Sequence, residues 1–356
     1  MNNIVTPPQP KIEKQLRNNF NILDTALSCC YFIVFGLFVE LITLVMPSAI
    51  SSNLFYAIFM SFLIEAVFGI AGLVTASTRK VKFIEATNLN KKIDIKTILL
   101  CIVIAVVSIY AFNSVSNAFA YALQNLGYKQ QVSNFVIPNV QTYLLYVVLI
   151  CISPAIFEEL LFRGVTLNGL KKLGTHKAVI ISALFFSFMH GGPDQTIHQL
   201  ILGVIMGYVF VYSGSIWSTI IIHFLNNFIA LTSLFIVSLN SPESVTEIVQ
   251  VSWGEIGIML ILGLIGACIG GTIVYWCIRG IKAIKEHKDK GKDKLNILDK
   301  VDLSDQDIQE LKEQANDIKG QQLSTKEKTT SIWLFVASAG YLIFQWITTL
   351  VAGFIL

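Results

Sequence analysis

Tyr143-Leu-Leu-Tyr-Val-Val-Leu-Ile-Cys-Ile-Ser-Pro154-Ala-Ile-Phe-Glu158-Glu159-Leu-Leu-Phe-Arg163 is an apolar run of spanning length that ends in two carboxylates and a guanidinium. A run of about 20 apolar residues crosses roughly 30 Å of hydrocarbon as a helix. Charged groups inside such a run carry an insertion penalty of about 2.5–3.5 kcal/mol at the bilayer centre, so they mark function by default. Pro154 lacks an N–H and stands one turn before Glu158, where the helix is expected to kink or loosen.

Working outward, the same kind of apolar run recurs along nearly the whole chain. Of 356 residues, 54% are hydrophobic and 14% charged, which sets the chain apart from ordinary soluble domains. Mean hydropathy is +0.65. The expected fold is all-α, a polytopic transmembrane helix bundle of about nine spans, eight or nine by count. The spans are placed at 25–46, 54–76, 97–123, 143–162, 178–190, 196–212, 216–239, 256–278 and 332–356. The fifth, 178–190, is short for a span and must be buried in the bundle or extend through Gly191-Gly192. The expected division is a cytoplasmic N-terminal segment 1–24, a transmembrane bundle 25–278 whose chemistry-bearing motifs fall within 154–227, a charged cytoplasmic segment 279–330 and a C-terminal transmembrane helix 331–356.

Cations alternate between loops in the way that the positive-inside rule requires. Lys11, Lys14 and Arg17 precede the first span, six cations from Arg79 to Lys96 follow the second, and Lys171, Lys172 and Lys177 follow the fourth. The intervening loops are poor in cations. The N-terminus is therefore expected in the cytoplasm and the C-terminus outside, with the first span as its own targeting signal. The net charge of +3 reflects topology and points to the lipid bilayer as partner, not to nucleic acid. The segment after Arg279 begins with Lys282, Lys285, Lys288, Lys290, Lys292 and Lys294. It reads as a solvated linker beside anionic headgroups, with a thin apolar stripe (Ile297, Val301, Ile308, Leu311, Ile318) as the docking alternative. The six cysteines, at 29, 30, 101, 151, 268 and 277, lie in spans without metal-type spacing and read as packing residues.

Glu159 and Arg163 are four apart and stack on one helix face as an ion pair. Glu158 points about 100° away, without a cation, in the setting of a general base. A purely structural ion network is the competing reading. His190 closes Phe186-Ser-Phe-Met-His190, and His223 shares a face with Asn227 in the seventh span, with Asn226 beside it as an interhelical partner. His198 is expected at an aqueous edge, while His176 and His287 carry no signal. Counted from the ends of the spans, Glu158 and His223 lie shallow on the cytoplasmic side and His190 deeper, and the cavity is expected to open to the cytoplasm.

The set Glu158-Glu159-x-x-x-Arg163, Phe186-x-x-x-His190 and His223-x-x-x-Asn227 resembles the intramembrane endopeptidases of the CAAX protease and bacteriocin-processing (Abi-type) family, which include the type II CAAX prenyl proteases. The resemblance covers about Pro154 to Asn227. It implies a helical bundle that hydrolyses peptide bonds of a membrane-associated or lipidated peptide substrate. Glu158 would be the catalytic carboxylate, Glu159 and Arg163 its supporting pair, and His190, His223 and Asn227 the other catalytic groups. Two versions of the chemistry stay open. In one, Glu158 and His190 activate water while His223 and Asn227 donate to the oxyanion; in the other, Zn²⁺ sits on His190, His223 and Glu158. A different class, an ion- or proton-coupled transporter, draws on Glu40 and Glu65 in the first two spans, and a non-catalytic immunity or partner protein is the third reading. Abundant Ile, Asn and Lys point to an AT-rich genome and a bacterial cell membrane.

Overall fold

The computed structural model describes residues 16–47, 50, 54–129, 137–240, 249–299 and 323–355, with side chains of 291–299 left aside. Among the described residues there is no strand, and nine helices make the bundle. They are α1 (Ile22–Val45), α2 (Leu54–Thr78), α3 (Ile95–Asn125), α4 (Val140–Leu173), α5 (Thr175–Met189), α6 (Thr196–Ser213), α7 (Trp217–Asn240), α8 (Trp253–Asp299) and α9 (Thr325–Ile355). All but α5 are long and apolar enough to cross a membrane.

The ends of α9 decide whether α5 crosses as well. Glu327, in its first turn, lies 3.5 Å from Arg79 at the end of α2. At its other end Phe354 packs edge-on against Tyr128, which follows α3. The loops after α2 and α3 lie on opposite faces of the bundle, so α9 runs from the Arg79 face to the Tyr128 face. The chain therefore starts and finishes on opposite faces, and an odd number of crossings is required. The 15-residue α5 supplies the ninth. It runs antiparallel to α6 in close contact, because Gly203 and Gly207 leave no Cβ between the helices. One added at Gly203 would stand 3.0 Å from Ala183, and one at Gly207 2.8 Å from Val179. Small residues four apart are what lets transmembrane backbones approach this closely.

Local chemistry sets the helix ends. Asn21 caps α1 through a reciprocal box with Asp24, and Asp24 also binds Arg17 and Arg79, tying the N-terminal segment to the end of α2. Asp94 caps α3 through the Thr97 N–H, and Asn139 caps α4 through the Thr142 N–H.

Three boundaries differ from the sequence expectation, one of them the start of α9, which lies at Thr325 rather than near Ile332. α4 does not stop near Phe162 but continues to Leu173, and α8 does not stop near Ile278 but runs through the lysines to Asp299. Lys, Glu and Asp on a solvated helix interrupt hydropathy without interrupting helix formation. The apolar stripe from Val301 onward lies outside the described residues. Of the cysteines, 29, 101, 151 and 277 are buried, Cys30 is partly buried and Cys268 is exposed; all six are free thiols.

α4 lies at the centre, touched by α1, α2, α5, α6 and α7. It is not a uniform helix. Val147–Ile152 and Leu160–Leu167 are π-helical, and the α-helical Ser153–Glu159 lies between them. Wide turns free backbone carbonyls, which inside a bundle must find donors. Side chains provide them: Ser182 of α5 donates to the Phe162 carbonyl (3.0 Å) and Thr25 of α1 to that of Thr166 (3.3 Å), while Asn168 of α4 itself donates to that of Gly164 (3.0 Å).

Candidate active site

Glu158 and Glu159 lie in the short α-helical stretch between the two wide turns, with Arg163 one turn on. Arg163 is the largest fully buried side chain among the described residues. Its Nη1 donates to Glu159 Oε1 at 2.5 Å, its Nη2 to the Gly203 carbonyl at 3.1 Å, and its guanidinium carbon lies 4.6 Å from the centre of the Phe186 ring. The ion pair expected from spacing is present, and it also ties α4 to α6 and α5.

Glu159 does more than neutralise Arg163. Its Oε1 also accepts from His223 Nδ1 at 3.0 Å, which fixes the imidazole and turns Nε2 the other way. That Nε2 lies 4.0 Å from Glu158 Oε2. On the far side, His190 donates from Nδ1 to the Phe186 carbonyl at 2.8 Å, and its Nε2 lies 3.9 Å from the same Glu158 oxygen. The two rings are thus held by their Nδ1 atoms and present Nε2 to one carboxylate oxygen. Glu158 Oε2 is buried and accepts no hydrogen bond.

The alignment of His190 with Glu158 follows from the turn between α4 and α5. Gly174 adopts φ +94, a conformation that L side chains rarely take, and so closes a tight hairpin. Glu158 and His190 each lie sixteen residues from Gly174, so equal rises of about 24 Å bring them level. The depth mismatch between them arose from ending the fourth helix too early. The site is also deeper than expected. Gly169 lies against the α1 cap at Asn21, and Glu158 stands eleven residues of α4, about 16 Å, above that level, beside an α1 about 36 Å long. Of the three converging side chains His190 is the most exposed, at 21% against 8% for Glu158 and 3% for His223.

Asn227 lies one turn after His223, and its Nδ2 donates to the Ile150 carbonyl at 3.0 Å. Ile150 is four residues before Pro154, which has no N–H to offer it. One hydrogen of the Asn227 amide therefore serves the carbonyl that the proline orphans. Asn226 donates to Asn227 Oδ1 at 3.3 Å and has His198 of α6 beside it. His176 pairs with the Tyr208 hydroxyl, away from the site, and His287 is exposed on α8. An unsatisfied buried carbonyl costs about 1–3 kcal/mol, so Asn227→Leu should destabilise the protein by that amount in detergent thermal unfolding. In a Pro154→Ala background the penalty should shrink, because the alanine's N–H takes over the Ile150 carbonyl. An equal penalty in both backgrounds would separate the two residues.

Sequence reading missed one carboxylate as part of this site. Glu65 of α2 has a buried Oε2 without a hydrogen-bond partner, and its charge acts on Glu158. Glu65 thus adds a third carboxylate near Glu158 and Glu159, whose one guanidinium, Arg163, is bound by Glu159.

Two imidazole nitrogens and a carboxylate oxygen suit zinc in kind. Their spacing does not. Tetrahedral zinc with bonds of 2.0–2.2 Å holds its donor atoms about 3.3–3.6 Å apart, and both Nε2 atoms lie farther than that from Oε2. Among the described residues no three His, Cys, Asp or Glu side chains converge tightly enough to hold an ion. A water accepts this spacing readily: at about 2.8 Å from each atom, a pair 3.9–4.0 Å apart subtends about 90°.

No curated protein and no solved structure matches the chain in the comparisons made. Residues 140–229 match the family described as Type II CAAX prenyl endopeptidase Rce1-like. The matched segment starts at the first residue of α4 and ends two residues after Asn227, so it contains Glu158, Glu159, Arg163, His190, His223 and Asn227. The match makes this segment, about a quarter of the chain, similar to that family.

Proposed function

We propose that the protein is an intramembrane endopeptidase that hydrolyses a peptide bond in a membrane-associated or lipidated substrate. The observation that carries this reading is the convergence of His190 Nε2 and His223 Nε2 on the unpaired Oε2 of Glu158. A neutral His190 that donates from Nδ1 to Phe186 has a lone pair on Nε2. Water between that lone pair and the Glu158 carboxylate donates a hydrogen to each and turns its own lone pair toward a substrate carbonyl. Glu158 takes the proton as attack proceeds. His223, anchored on Glu159, donates from Nε2 to the developing oxyanion in its protonated form, and the second hydrogen of Asn227 Nδ2 assists. No step needs a metal.

The same reading places the cation-rich face, with Arg17, Arg79, Lys80 and Lys171, in the cytoplasm of a bacterial cell, and the lysines of α8 against anionic headgroups. Mass spectrometry of membrane peptides from cells carrying the natural protein or Glu158→Ala tests the function and finds the substrate. The expected result is a set of cleaved peptides that disappears in the variant while the protein level holds. Identical peptide sets would remove the protease reading.

A further inference from the structure

We propose that Glu65 is a second catalytic carboxylate, the acid that protonates the leaving amine when the peptide bond breaks. The proposal rests on the protease reading above and extends it to a helix outside the matched segment 140–229.

The placement comes from packing. At Gly69, α2 approaches α4 so closely that a Cβ would stand 2.7 Å from Phe157 Cδ1. Phe62 packs edge-on against the same Phe157 ring, with centroids 5.7 Å apart. Glu65 lies between these contacts, one turn before Gly69 on the same helix face, and Glu158 follows Phe157 directly. Each carboxylate has an Oε2 that is buried and without a hydrogen-bond partner. The Glu65 carboxylate is near enough for its charge to act on Glu158. No cation is paired with Glu65, whereas Arg163 and His223 are both engaged by Glu159. A carboxylate with a buried, unpartnered oxygen is a liability in a helix of spanning length, and a structural role would have supplied a partner.

Hydrolysis supplies a reason. Water attack forms a C–O bond and gives a proton to Glu158. Breaking the C–N bond sends its electron pair to nitrogen, and an amine leaves only if nitrogen gains a proton. The acid and base must be different groups at that moment. A pair of carboxyls with one proton between them meets the need: Glu158 ionised to receive, Glu65 protonated to give. After cleavage the proton on Glu158 passes to Glu65, and the pair returns to its starting state with no net gain or loss.

A leaving group that needs no proton separates this role from a structural one. The probe is a synthetic peptide copied from the cleavage site found by the membrane comparison, made once with the scissile amide and once with a thioester. Glu65→Gln should lower the kcat for the amide by about 10²–10⁴-fold and leave thioester hydrolysis within a few-fold of the natural protein. Glu158→Gln should lower both. Equal losses on both bonds in Glu65→Gln, or no loss on the amide, would overturn the acid assignment while the protease reading stands. Amide cleavage that survives Glu158→Gln would overturn both. Thermal unfolding of Glu65→Gln in detergent, expected at or above the natural midpoint, excludes loss of fold as the cause.

Discussion

Glu158→Gln should lower peptide hydrolysis by about 10²–10⁴-fold, the usual range for loss of a positioned general base, without lowering stability. The two halves of this result belong together. The glutamine has the shape of the glutamate, so His190, His223 and the α4 backbone keep their positions. It removes a buried charge that has no cation of its own, because Arg163 is taken up by Glu159. The unfolding midpoint should therefore stay level or rise, as it does where an active site is held in a destabilised state. A purely structural glutamate behaves in the opposite way, losing stability and leaving any residual rate intact. Kinetics on the amide probe and thermal unfolding of the same preparation distinguish the two.

Arg163→Ala should destabilise the protein by about 3–5 kcal/mol, the usual cost of breaking a buried pair from one side. Three contacts disappear at once: the bond to Glu159, the bond to the Gly203 carbonyl and the contact with the Phe186 ring. What remains is a fully buried Glu159 carboxylate with only His223 on it, and an uncapped carbonyl on α6. Activity should fall as well, because Glu159 orients His223. Replacing both partners, Glu159→Leu with Arg163→Met, should recover a large part of the stability and none of the activity. Chemical or thermal denaturation in detergent reads the first effect, and cleavage of the amide probe the second. A single Arg163→Ala variant as stable as the natural protein would mean that the pair is solvated.

Much of this was legible in the chain because it depends on near neighbours. Hydropathy marks the helices, and spacings of four residues place Glu159 with Arg163 and His223 with Asn227. The wide turns of α4 are a different matter. Their carbonyls are satisfied by Ser182, Thr25 and Asn227, which are remote in sequence, and only Pro154 leaves a local trace. Glu65 was visible as a carboxylate in a span, but its relation to Glu158 depends on the close approach of α2 to α4 at Gly69. The depth of the site was misread for a simpler reason. A hydropathy window ends where charge begins, and α4 carries on through Arg163 to Leu173. Once the hairpin at Gly174 is counted from its true ends, the two arms bring Glu158 and His190 level.

The proposed chemistry turns on a water held directly by Glu158 and His190, with His223 facing it. A structure of the protein in lipid nanodiscs, at a resolution that shows ordered water, tests it most directly. The account predicts a single water about 2.8 Å from Glu158 Oε2 and His190 Nε2, with His223 Nε2 facing the same position and the spacings near 3.9–4.0 Å. An ion bound at 2.0–2.2 Å, with the three side chains drawn in to about 3.3–3.6 Å of one another, would contradict it.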